Sequence, residues 1–149
     1  MSLQEQVMTE MKIAMKAKDK VSLESLRAIK SALLLAQTKG GPNEGLTKDE
    51  EIALVQRLVK QRKDSAAIFT EQGREDLADP ELEQVAIIEK FLPEQLSEEE
   101  IEKVVVTIIE ATGASGMKDM GKVMGMVSKE LAGKADGKTI STLVKAKLV

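Results

Sequence analysis

Three segments of the chain open in the same way. In Ser2-Leu3-Gln4-Glu5, Thr47-Lys48-Asp49-Glu50 and Ser97-Glu98-Glu99-Glu100, a hydroxyl residue precedes a glutamate by three positions. In that spacing each side chain satisfies a backbone N–H of the other at the start of a helix. Such starts commit a chain to helices wherever an apolar stripe of helical period follows, and here it does: Leu3, Val7, Met11 and Ala14; Leu23, Leu26, Ile29 and Leu33; Ile52, Val55, Leu58 and Val59. Asp79-Pro80 predicts another start, with Asp as the cap and Pro in the first helical position, ahead of Leu82, Val85, Ile88 and Leu92. The fold class is all-α.

Gly40-Gly41-Pro42-Asn43-Glu44-Gly45 predicts a loop that turns the second helix back toward the third, so the first part of the chain reads as packed antiparallel helices. Leu92-Pro93-Glu94-Gln95-Leu96 stops the fourth helix just before the Ser97 box, which predicts a domain boundary there. Residues 1–93 are expected to form an N-terminal helical domain and 94–149 a small three-helix domain, near the lower size limit for folding alone. The tail stripes are Ile101, Val104, Val105, Ile108 and Ile109; Met120, Val123, Met124, Val127 and Leu131; and Ile140, Leu143, Val144 and Leu148. Phe69 and Phe91 are the only aromatic residues, so the eight methionines are expected to fill gaps between helices. A methionine-lined docking groove is the sharper alternative.

The chain has no Cys and no His. Zinc sites and most nucleophilic triads are built from those residues, so both chemistries are excluded, and disulfides with them. Any acid–base catalysis would need a strongly shifted carboxylate or lysine. No cofactor and no metal is expected. The N-terminal stretch has neither a basic region nor an apolar run, and no stretch approaches the roughly 20 apolar residues of a membrane span. A cytoplasmic protein without membrane contact is expected.

Several short patterns imitate catalytic motifs. Gly133-Lys134-Ala135-Asp136-Gly137-Lys138-Thr139 has one residue too few between its glycines for a phosphate loop and follows no strand. It reads as a turn in which Gly133 ends one helix and Asp136-Gly137 starts the next. Ser115-Gly116-Met117-Lys118 matches Ser-x-x-Lys without its companion motifs, and Ser115 reads instead as a helix cap. Arg62 falls near an apolar stripe, where Asp76 or a glutamate of the fourth helix is the expected partner. Glu98, Glu99 and Glu100 suit a helix N-terminus better than a metal.

Whole-chain net charge is -3, so a nucleic-acid surface would have to be local. Residues 117–149 carry +4 and residues 94–116 carry -5. At about 100° per residue, Lys118, Lys122 and Lys129 fall opposite the apolar stripe of the second tail helix, within roughly 40° of one another. Gly121 and Gly125 lie beside that row, each costing about 1 kcal/mol against Ala in a helix interior. Either the missing side chains let a phosphate backbone approach while lysines neutralise it, or another helix packs closely there, or the lysines are a plain solvated face.

Leu26-Arg27-Ala28-Ile29-Lys30-Ser31-Ala32, Arg62-Lys63-Asp64-Ser65, Gly73-Arg74-Glu75-Asp76-Leu77, Phe91-Leu92-Pro93-Glu94-Gln95-Leu96, Asp119-Met120-Gly121-Lys122-Val123-Met124-Gly125 and Gly133-Lys134-Ala135-Asp136-Gly137 together resemble the GatB/YqeY family over nearly the whole length. The first 93 residues look like the helical YqeY portion, and the remainder is similar to the tail domain of the GatB component of aspartyl/glutamyl-tRNA amidotransferase. That resemblance implies a tRNA-facing tail linked to glutamine-dependent tRNA amidation, a carbon–nitrogen ligation with glutamine as amido donor. Nothing in the chain resembles a kinase-like core or a glutaminase, so that activity is not expected of this chain by itself. The residues carried over as RNA contacts are Lys118, Lys122 and Lys134, with Gly121 and Gly125 permitting close approach; helical geometry adds Lys129 and Lys138. The expectation is a non-catalytic tRNA-binding accessory protein of translation, the alternative a helical module that docks on an amidotransferase or another translation partner.

Overall fold

The computed structural model describes residues 2–39 and 45–148, so all of the expected loop from Gly40 to Gly45 except Gly45 lies outside the described residues. Seven α-helices and two short 3-10 turns are present among them, with no strand: α1 Leu3–Ala17, α2 Lys20–Lys39, α3 Lys48–Glu71, α4 Glu75–Ile88, α5 Glu98–Thr112, α6 Met120–Glu130 and α7 Gly137–Leu148, with the turns at Glu89–Phe91 and Met117–Asp119. The protein is all-α.

All three hydroxyl–glutamate pairs form reciprocal caps. Ser2 Oγ, Thr47 Oγ1 and Ser97 Oγ each accept from the backbone N–H of the glutamate three residues on, at 3.2 Å, and each glutamate accepts from the cap's own N–H. α2 has no such box. Asp19 takes the role instead, accepting from the Ser22 N–H at 3.1 Å and the Ser22 hydroxyl at 2.7 Å, bonds that hold its carboxyl below the usual carboxylate range.

The chain divides into two compact units, Met1–Leu92 and Pro93–Val149. In the first, α2 packs on α1, α3 and α4, and α3 lies along α4. Its core is built from Leu3, Val7, Met11, Leu26, Ile29, Leu33, Val55, Val59, Val85 and Ile88, with Phe91 and Leu92 packed against it. α4 begins at Glu75, five residues before the expected start, and Pro80 lies inside it. Gly73, at φ 71°, turns the chain sharply out of α3, and Arg74 clamps Asp76 with two hydrogen bonds of 3.0 Å, so the helix starts there. Pro80 is then the sixth helical residue, and it lacks the N–H that would otherwise bond the Asp76 carbonyl. The earlier start also places Ala78 in the core. Leu82, four residues on from Ala78 and about 100° from the centre of the buried stripe, is 47% exposed rather than a core residue.

The second unit is a three-helix arrangement in which each of α5, α6 and α7 packs on the other two. Ile101, Val105, Val123, Val127, Leu131, Ile140, Val144 and Leu148 are buried in it, and Val104, Ile108, Ile109, Met120, Met124 and Leu143 pack against them. Methionine is found in both buried and exposed positions. Met11 is buried and Met120 and Met124 fill the tail core, whereas Met8, Met15, Met117 and Met126 are exposed.

Candidate nucleic-acid interface

The tail places the expected contact residues on one run of chain. Lys118 lies in the 3-10 turn that leads into α6; Gly121, Lys122, Gly125 and Lys129 lie on α6; Lys134 is in the turn after it; Lys138 is the second residue of α7. All seven are exposed. Because α6 begins only at Met120, helical angles do not extend to Lys118, and the expected three-lysine row is a two-lysine row preceded by a turn. Lys122 and Lys129 are seven residues apart, about 20° short of two full turns. Gly125 falls between them on the surface, one turn from each.

The tail core orients this face. Val123 and Val127 are fully buried, and Met120, Met124 and Leu131 pack on the same side, so the opposite side of α6 is turned outward. A Cβ added at Gly121 or Gly125 would meet nothing within 4 Å. Neither glycine therefore accommodates a helix packed closely against it, and that explanation of the pair is removed among the described residues. Neither has positive φ, so neither is required by backbone conformation. Met126, 41% exposed, is one turn from both Lys122 and Lys129 and adds an apolar element that sequence reasoning assigned to packing.

Among the described residues, none of Lys118, Lys122, Lys129, Lys134 and Lys138 is in an ion pair, whereas Lys147 is held by Glu102 of α5 at 2.6 Å. Two of the three acids in residues 117–149 are occupied by backbone. Asp136 caps α7, accepting from the Thr139 N–H at 2.7 Å, and Asp119 accepts from the Ser115 N–H at 2.9 Å. The second bond reverses the expected roles: Ser115 does not cap the following helix with its side chain, but is itself held by Asp119. Gly133, at φ 78°, makes the expected helix–helix turn, and Asp136 starts α7 as expected.

The α6–α7 turn is pinned from outside by the segment that precedes α5. Leu96 N–H donates to Lys134 O at 2.9 Å, and Gln95 Nε2 donates to Gly133 O at 2.6 Å and to Pro93 O at 2.9 Å. The Pro93–Leu96 segment thus fixes the backbone from which the Lys134 side chain projects. Sequence reasoning read that segment as a helix stop and missed this positioning role, because the two stretches are 38 residues apart.

Outside the tail, two expected site alternatives take other forms. Arg62 pairs with neither Asp76 nor a glutamate: its Nε donates to Gln84 Oε1 at 2.8 Å and its guanidinium to Leu58 O at 3.1 Å. Asp76 is taken by Arg74, which holds its carboxyl below the usual range. A cleft of about 450 Å³ opens in the first unit beside Ile13, Asp19, Ile87, Lys90 and Phe91, and no methionine lines it. No group of three or more acidic residues among those described is placed to hold a metal ion.

The model of the YqeY-like protein family matches residues 4–148. The chain belongs to that family. It is 35% identical over 111 residues to a component of the glutamyl-tRNA(Gln) amidotransferase of Thermococcus gammatolerans, a match that takes in 72% of this chain and 18% of that protein. The chain therefore spans only a small part of that relative. It is also 30% identical over 129 residues to the altered inheritance of mitochondria protein 41, mitochondrial, of Pyrenophora tritici-repentis, which covers 85% of this chain and 69% of that protein. The protein of the same name from Kluyveromyces lactis is 31% identical over 144 residues, covering 92% and 71%. Likeness of this YqeY-like chain to a component of a tRNA amidotransferase, expected from its motifs, is thus present.

Proposed function

We propose that this protein is a non-catalytic tRNA-binding accessory factor, in which the outward face of α6 and the turn after it contact the RNA backbone. The observation that carries the reading is the pair of glycines that nothing covers among the described residues, Gly121 and Gly125, set among lysines that form no ion pair there. Glycines without an internal reason cost helix stability, and an open patch of bare backbone flanked by free cations suits a bulky polyanion. With neither Trp nor Tyr in the chain, recognition would run through backbone charge and shape rather than base stacking. The likeness to part of an amidotransferase supports tRNA as the RNA and glutamine-dependent amidation as the setting, with the ligase chemistry supplied by other chains.

The test is a mobility shift with bulk tRNA at two salt concentrations, comparing the natural chain with Lys118→Glu/Lys122→Glu/Lys129→Glu. Binding that weakens with salt and disappears in the variant, at unchanged helicity, is the expected result. Binding indifferent to salt counts against it. A second reading, a module that docks on an amidotransferase or other translation protein, is favoured by the exposure of Met117 and Met126 around the same face. Its mark is a protein complex that survives nuclease and high salt.

A further inference from the structure

A stretch outside the tail carries more net positive charge than the tail does. Residues 11–39 hold seven basic residues against two acidic ones, a net +5, one more than the tail stretch. Lys12 and Lys16 lie on α1, Lys18 in the turn after it, and Lys20 and Arg27 in the first half of α2, and all five are exposed. None is in an ion pair among the described residues. Of the two acids, Asp19 is occupied by Ser22, and Glu24 lies one turn from both Lys20 and Arg27 on α2.

Two of these cations stand where local chemistry disfavours them. Lys18 adopts φ 56° and is the only non-glycine residue at positive φ among the described residues, a position that favours glycine. Lys20 is the first residue of α2, whose opening turn has no acidic residue, so its charge opposes the helix dipole. α1, α3 and α5 all begin with acidic first turns. The Lys18 charge suits the C-terminus of α1 although its backbone conformation would suit glycine better, and nothing in α2 calls for the Lys20 charge, so charge complementarity points to an external polyanion.

We propose that the α1–α2 corner of the first unit is a second RNA-backbone contact surface, so that each unit carries its own set of phosphate-binding cations. This rests on the RNA reading of the tail. The test uses the full chain and bulk tRNA, with affinity measured across a salt series for Lys18→Gly/Lys20→Glu. Both changes favour folding, since glycine relieves the left-handed turn and glutamate complements the helix dipole. The variant is therefore expected to melt at the same or a higher temperature, yet to bind about tenfold more weakly at low salt. Its log affinity against log salt should flatten by about 1–2, at roughly 0.7–0.9 per phosphate contact. Lys48→Glu/Lys103→Gln makes the same total charge change at residues that do not belong to the corner and should keep the natural slope. A natural slope in the corner variant, while the tail triple variant loses binding, overturns this proposal and leaves the tail reading standing. Equal losses in the corner and control variants also overturn it, because charge anywhere would then suffice. No tRNA binding by the folded natural chain overturns both.

Discussion

Replacing Gly121 and Gly125 with alanine separates what the fold needs from what a ligand needs. Gly125 lies inside an 11-residue helix and Gly121 is its second residue, and neither has the positive φ that would strain an alanine. A Cβ at either position meets nothing within 4 Å, so no neighbour has to move. The remaining effect is backbone entropy and helix propensity, which favour alanine by about 0.5–1 kcal/mol at Gly125 and by less at Gly121, in the first turn. The double variant should therefore gain about 1 kcal/mol, to be read from urea unfolding followed by far-UV circular dichroism and localised by slower amide exchange along α6. If the glycines exist to admit an RNA backbone, the same variant should bind bulk tRNA more weakly, by about tenfold, or 1.4 kcal/mol. More stable and weaker binding is the expected pair of outcomes. Destabilisation would refute the inference that the space is open, and a stabilised helix with undiminished tRNA affinity would refute the close-approach argument.

The other predictions concern the packing and charge around the site. Gln84→Ala leaves Arg62 Nε, half-buried between α3 and α4, without its partner and should cost about 1–2 kcal/mol in chemical denaturation. Val127→Ala removes two methyl groups from a fully buried position beneath the lysine face. It should cost about 2 kcal/mol in urea unfolding and lower amide protection in α6 and α7 while leaving α1–α4 unchanged. Asp19 has a folded-state pKa below its ordinary value, so it contributes stability above that ordinary value and loses it as pH falls through the lower one. An acid titration of Asp19→Asn should show a shallower loss of stability below about pH 4 than the natural chain does; identical acid limbs would dispose of that cap.

The helices and most of their buried faces were legible in the sequence because their causes are local. A cap reaches three residues, and an apolar stripe repeats within two turns, so Ser97–Glu100 and the Ile101–Val105–Ile108 stripe can be read without knowing what lies opposite. The same reasoning misplaced the start of α4, because Asp79-Pro80 is a strong local signal overridden by the Gly73 turn and the Arg74–Asp76 clamp. It also placed Lys118 on a helix that begins two residues later. In the candidate interface the residue types were visible and their surroundings were not. The charge imbalance, the glycine pair and the amphipathic period of α6 are properties of order along the chain. Whether those glycines face a neighbour or open space, whether a lysine is neutralised as Lys147 is by Glu102, and whether Gln95 grips a turn 38 residues away depend on distances between segments. Local spacing dictates which face of a helix is apolar; only packing decides what the other face is left to meet.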